Sequence, residues 1–120
     1  MGRRARPGFE TSHAPVTLPF RTESEAAAEL EEAAAWYEEQ RLGLGHELLR
    51  AVDDALAFIA RWPNAGIAVP DVPPDVPVRR VPVRRFPYHV VYLEMADAIR
   101  ILAFSHDGRL PGYWHTRAGL

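Results

Sequence analysis

The stretch EAAAWYEEQRLGLGHELLRAV, residues 32–52, decides the fold. It carries two amphipathic segments with only a few residues between them. Upstream, the apolar positions Ala26, Leu30, Ala33 and Tyr37 recur at helical spacing, with the glutamates mostly off that stripe. Alanine is the strongest helix former, so this segment is helical on propensity as well as pattern. Thr22 and Glu25 have capping-box spacing and open the helix. Gly43 is the stop, because glycine takes a left-handed conformation at little cost. A second helix starts near Leu44 or Gly45, with a stripe of Leu48, Val52, Ala55, Leu56 and Ile59, and ends at Pro63. So short a link makes the pair an antiparallel αα-hairpin.

Strand signals lie on either side of this hairpin. VTLPFR, residues 16–21, reads as a short strand, and Pro19 places it at an edge or an irregular spot. After the hairpin comes PNAGIAVPDVPPDVP, residues 63–77, a long proline-rich loop. Then VRRVPVRRF, YHVVYLEM and AIRILAFSH follow in close succession, joined by FPY and by a turn near Ala96 and Asp97. They predict a three-strand antiparallel meander, with Pro82 marking its first strand as an edge. The expected fold is α+β, in the order βααβββ, with both helices on one face of the sheet. Residues 1–15 are expected to be a mobile extension, 16–116 the folded domain and 117–120 a tail.

Composition narrows the function classes. A chain of 120 residues is one domain. It contains no cysteine, which excludes disulfides and thiolate metal sites. His13, His46, His89 and His115 show no metal-ligand spacing with carboxylates, so neither a metal nor a cofactor is expected. No secretory signal or membrane-length apolar run is present, which predicts a cytoplasmic protein without membrane contact. All 14 basic residues are arginine, so no lysine is available as an acid, base or phosphate clamp. The acidic face of the first helix argues against helix-in-groove DNA binding.

Alternation along the strands sets Leu102, Phe104 and His106 opposite Ile99, Ile101, Ala103 and Ser105. Arg80 and Arg84 fall opposite Val81 and Val83. Two helices cover one face of such a sheet, so the other face is expected to expose apolar and arginine residues together as a partner site. The competing expectation is that the N-terminal extension, the proline loop or the tail folds over it. PGYW, residues 111–114, reads most simply as a turn that drops two aromatic rings onto the core edge. Trp36 and Tyr37 are expected to pack in the helical layer.

Residues 32–52, WPNAG, VRRVPVRRFPYHVVYLE and ILAFSHDGRLPGYW together resemble the RelE/ParE superfamily of bacterial toxins, on the ParE-like, plasmid-stabilisation branch. The resemblance implies the toxin half of a type II toxin–antitoxin pair, inhibiting growth by binding a target such as DNA gyrase and neutralised by a cognate antitoxin. A homo-oligomer or a toxin–antitoxin hetero-oligomer is consistent with it. The antitoxin- or target-binding candidates are Arg80, Arg84, Arg85, Arg100, Leu102 and Phe104. The RelE-like branch implies instead a ribosome-dependent mRNA endonuclease. Its candidate residues here are His106 as base, Tyr113 as acid and Arg84 and Arg109 as phosphate support. The absence of lysine leans away from the enzyme. A non-toxic binding module of the same fold is the third reading.

Overall fold

The computed structural model describes residues 18–120, so the predicted extension over residues 1–15 lies outside the described residues. Strand β1 (Phe20–Thr22) leads directly into helix α1 (Ser24–Gln40) and helix α2 (Leu44–Arg61). A two-residue strand β2 (Ile67–Ala68) precedes β3 (Val78–Val83), β4 (Tyr88–Glu94) and β5 (Ile99–His106), and a short 3-10 turn, His115–Ala118, closes the chain. The five strands form one sheet in the order β1-β5-β4-β3-β2. The meander is antiparallel as predicted, and β1 joins it parallel to β5.

The αα-corner shows why residues 32–52 read as they do. Gly43 is left-handed, with φ of 90°. The backbone N–H groups of Gly43 and Gly45 donate to the Glu38 carboxylate at 2.8 and 3.0 Å. Those are unpaired donors of the first turn of α2, and an anion there also opposes the helix dipole favourably. Gly45 is required for a second reason. A Cβ at that position would fall 2.4 Å from the Ala34 carbonyl oxygen, so the helices cross at backbone contact.

The expected stripes face the sheet. Ala26, Ala33, Leu48, Val52, Ala55 and Ile59 are buried against Val81, Val83, Val90, Tyr92, Ile99 and Ile101. Pro63 follows the end of α2, and the WPNAG corner is tied down from the sheet. The Tyr92 hydroxyl, on a fully buried ring, donates to the Pro63 carbonyl at 2.7 Å. Arg79 donates to the Gly66 carbonyl at 3.0 Å.

Several expectations are corrected. Thr22 does not cap α1: it belongs to β1, and the residue preceding the helix is Glu23, which makes no side-chain cap. Glu23 instead accepts from Arg100 at 2.9 Å. Trp36 is not packed in the helical layer but is 55% exposed, while Tyr37 packs edge-on against Phe86 and Tyr88. The proline-rich segment is not only loop, since β2 pairs with Arg79 and Arg80 and leaves Pro82 on the uncovered remainder of β3. Arg85 lies past the end of β3, in the turn, with φ of 70°.

The face assignment of β5 is also corrected. Val91 pairs with Ala103 and Tyr92 with Ile101, so Leu102 is an extra residue in the ladder. Such a bulge reverses the alternation beyond it. Phe104 therefore joins Ile99 and Ile101 in the helix-side core, while Leu102 and Ala103 both belong to the opposite cluster.

The second face is not open. Val69, Val72 and Val76 from the proline-rich segment and Tyr113, Trp114 and Ala118 from the C-terminal segment pack over Val78, Val91, Leu93 and Leu102. Trp114 is buried there, so the PGYW turn does lower an aromatic ring onto the core. The layers are helices, sheet, and a cover of loop and C-terminal segment.

Candidate functional site

Closing the second face leaves two polar features at its rim. The first is a carboxylate hub. Glu29 lies on α1 and reaches the end of β5, where its Oε1 accepts the Phe104 backbone N–H at 3.1 Å. Its Oε2 accepts the Tyr113 hydroxyl at 2.8 Å. Arg117 donates to both carboxylate oxygens at 3.1 Å and to the Leu102 carbonyl at 2.9 Å. The Arg117 and Glu29 side chains are only 13% and 16% exposed, so this bidentate pair is largely withdrawn from water. Arg100 completes the fastening by donating to the Arg117 carbonyl at 2.6 Å. Burial pushes the Tyr113 phenol above its ordinary range, and the bond and charge of Glu29 push it further. Burial acts to lower Arg117, but Glu29 outweighs it and raises the guanidinium above its usual value.

The second feature is a cavity of about 270 Å³ between the sheet and its cover. Arg80 of β3, His89 of β4 and Ser105 of β5 line it, together with Asp107 and Arg109 from the turn after β5 and His115 from the C-terminal segment. His89 Nδ1 and Asp107 Oδ1 are 2.6 Å apart, a hydrogen bond that orients the imidazole and leaves its Nε2 free of that contact. Arg109 stacks on Tyr113 with its guanidinium carbon 3.8 Å from the ring centre, so the hub and the cavity share one wall.

The candidate residues divide among these features. Leu102 and Phe104 are buried, at 0% and 4% exposure, and offer no contact surface; covering of the second face and the β5 bulge account for this. Arg100 is half-buried and committed to Glu23 and to the Arg117 carbonyl. Arg80, Arg84 and Arg85 are exposed. Arg84 and Arg85 border a shallow cleft beside α2 with His46 and Asp54, away from Arg80 and its cavity.

Of the residues of the endonuclease alternative, His106 and Arg109 line one cavity and Arg109 stacks on Tyr113, whereas Arg84 lies apart. His106 Nδ1 accepts the Gly108 N–H at 2.9 Å, shaping its own turn, and the ring meets Tyr88 edge-on at 5.0 Å. The Tyr113 hydroxyl donates its hydrogen bond to Glu29. Arg84 lines the clefts beside α2, whereas His106 and Arg109 line the cavity on the covered face. Glu29, Arg117 and the His89–Asp107 pair were not legible as a constellation. Their partners lie between 18 and 88 residues apart in the chain, where no spacing rule applies.

Together these elements define a class of fold: a helical hairpin on one face of a mainly antiparallel sheet. Among solved structures the chain is similar to one from the chromosomal ParDE toxin–antitoxin (TA) system of P. aeruginosa. The two share 18% identity and a TM-score of 0.62, over 75% of this chain and 96% of that one. No family model matches the sequence. No curated protein matches it either. No helix of the described residues is long and apolar enough to cross a membrane.

Proposed function

We propose that this chain is the toxin of a type II toxin–antitoxin pair of ParE type, arresting growth in the cytoplasm by binding a target such as DNA gyrase and held inactive by a cognate antitoxin. The observation that carries the reading is the shared fold, which spans nearly the whole of a chain from a ParDE system. The state of Tyr113 supports binding over message cleavage. Its hydroxyl hydrogen is engaged by the Glu29 carboxylate. A general base or acid must present a free proton site to the reacting group. Arg80, Arg84 and Arg85 are the members of the proposed partner-binding set that remain exposed. Arginine is well suited to meet carboxylates from an antitoxin.

The test is induced expression in a bacterial host without the antitoxin, following growth, plasmid supercoiling and message integrity in the same culture. Arrest with altered supercoiling and intact messages is expected. Arrest with cleaved messages would replace the reading by the endonuclease. Normal growth with folded protein would replace it by the non-toxic binding module.

A further inference from the structure

We propose that the cavity on the covered face is a binding site for a phosphate ester of the nucleoside monophosphate class. The chemistry of its walls carries the proposal. Two arginines, Arg80 and Arg109, line it from separate elements, β3 and the turn after β5. Elsewhere in the molecule Arg21, Arg41, Arg85, Arg100 and Arg117 each hold a carboxylate, whereas Arg50, Arg61, Arg79 and Arg84 hold none among the described residues but do not line this cavity. Arg80 and Arg109 form no ion pair among the described residues. Guanidinium forks match phosphate oxygens, and two of them from different elements can hold one phosphate in a fixed orientation.

The imidazoles add donors without adding a fixed charge. His89 is turned by Asp107 at 2.6 Å, which occupies that carboxylate, and His115 lies on the facing segment. Asp71, on the proline-rich segment, is the other carboxylate lining it. The remaining walls are apolar, including Val69, Val91, Pro111 and Trp114. A volume of about 270 Å³ exceeds what a phosphate alone fills, and an apolar wall beside a cationic one suits a flat ring attached to a phosphate. The site uses neither His106 as a base nor Tyr113 as an acid. It differs from the partner-binding reading in its ligand.

Calorimetric titration of the full purified chain, at fixed ionic strength, with AMP, adenosine and inorganic phosphate tests the assignment. No cellular target is present, so the result is separate from the toxin reading. AMP is expected to bind saturably, with a dissociation constant of about 1 mM or tighter, and adenosine and inorganic phosphate each more weakly. Arg80→Gln, a change at an exposed side chain, is expected to weaken AMP about tenfold or more. His89→Gln is expected to weaken it as well, and serves as the second variant should the first fail to fold. Arg50→Gln, beside the cleft on α2, is expected to leave the affinity unchanged. No saturable binding of AMP, or equal affinity in Arg80→Gln and the parent, would overturn the site. Adenosine or phosphate binding as tightly as AMP would overturn the ligand class.

Discussion

Two glutamates of α1 do the same kind of chemistry on opposite scales. Glu38 receives N–H groups five and seven residues ahead of it and shapes the corner into α2. Glu29 receives donors 75, 84 and 88 residues away and fastens the C-terminal segment across the end of the sheet. The first contact closes a small loop of chain and completes a helix end that would form without it. The second ties together the first helix and the last turn, and with them the cover over the second face. Losing the near contact leaves two partly buried N–H groups of one helix end without their acceptor. Losing the far one strands a guanidinium and an amide in a place water reaches poorly.

Removing Glu29 should therefore be the most damaging single change. Glu29→Ala leaves Arg117 largely buried without its carboxylate and the Phe104 N–H without its acceptor. Breaking such a pair from one side costs about 3 kcal/mol, which for a domain of this size lowers the melting temperature by about 10–20 °C. Thermal denaturation followed by circular dichroism measures it. A drop of only a degree or two would show that the hub is no more than surface decoration. Gly45→Ala should come next, at about 2 kcal/mol, because the added Cβ meets a backbone carbonyl at 2.4 Å and the helices must part. Urea denaturation with an unchanged slope would report it as a pure stability change. Glu38→Ala should cost about 1 kcal/mol, the usual worth of a lost helix cap. If Glu38→Ala proved as costly as Glu29→Ala in the same urea experiment, the contrast between near and far contacts would fail.

The same contrast explains what could be read from the sequence. Helix stripes, the left-handed Gly43, the stop at Pro63 and the meander all follow from local periodicity and local backbone preference, and the structure has them. The partner face was misjudged because one inserted residue, Leu102, reverses the alternation in β5. Nothing in IRILAFSH marks that bulge, since every residue there is compatible with either face. Glu29 read as one more solvated glutamate, because its partners come from the last part of the chain. His89 and Asp107 become neighbours only through the β4–β5 register. The residues that build the cavity are individually unremarkable, and only the closure of the cover brings them to one place.

The smallest expected effect is the most diagnostic of the hub. The Tyr113 hydroxyl donates its hydrogen bond to Glu29, and burial together with that carboxylate holds the phenol above its ordinary value of 10.0. The folded state thus keeps the phenolic proton at a pH where the unfolded chain releases it. The resulting stabilisation is fully present below about pH 10. It is lost as the pH rises through the folded-state value. Tyr113→Phe removes both the hydrogen bond and the titration. At neutral pH it should cost about 1 kcal/mol, the net worth of one hydrogen bond. As the pH climbs past 10 the parent should lose stability more steeply than the variant, so the gap between them narrows. Tyr88 and Tyr92 are also raised, chiefly by burial, and they weaken both proteins alike in alkali. Denaturant midpoints for the pair across neutral to alkaline pH isolate the Tyr113 contribution. A gap that stays constant with pH would mean that the phenol titrates alike in folded and unfolded chains, and that Glu29 fastens the C-terminal segment through Arg117 and not through Tyr113.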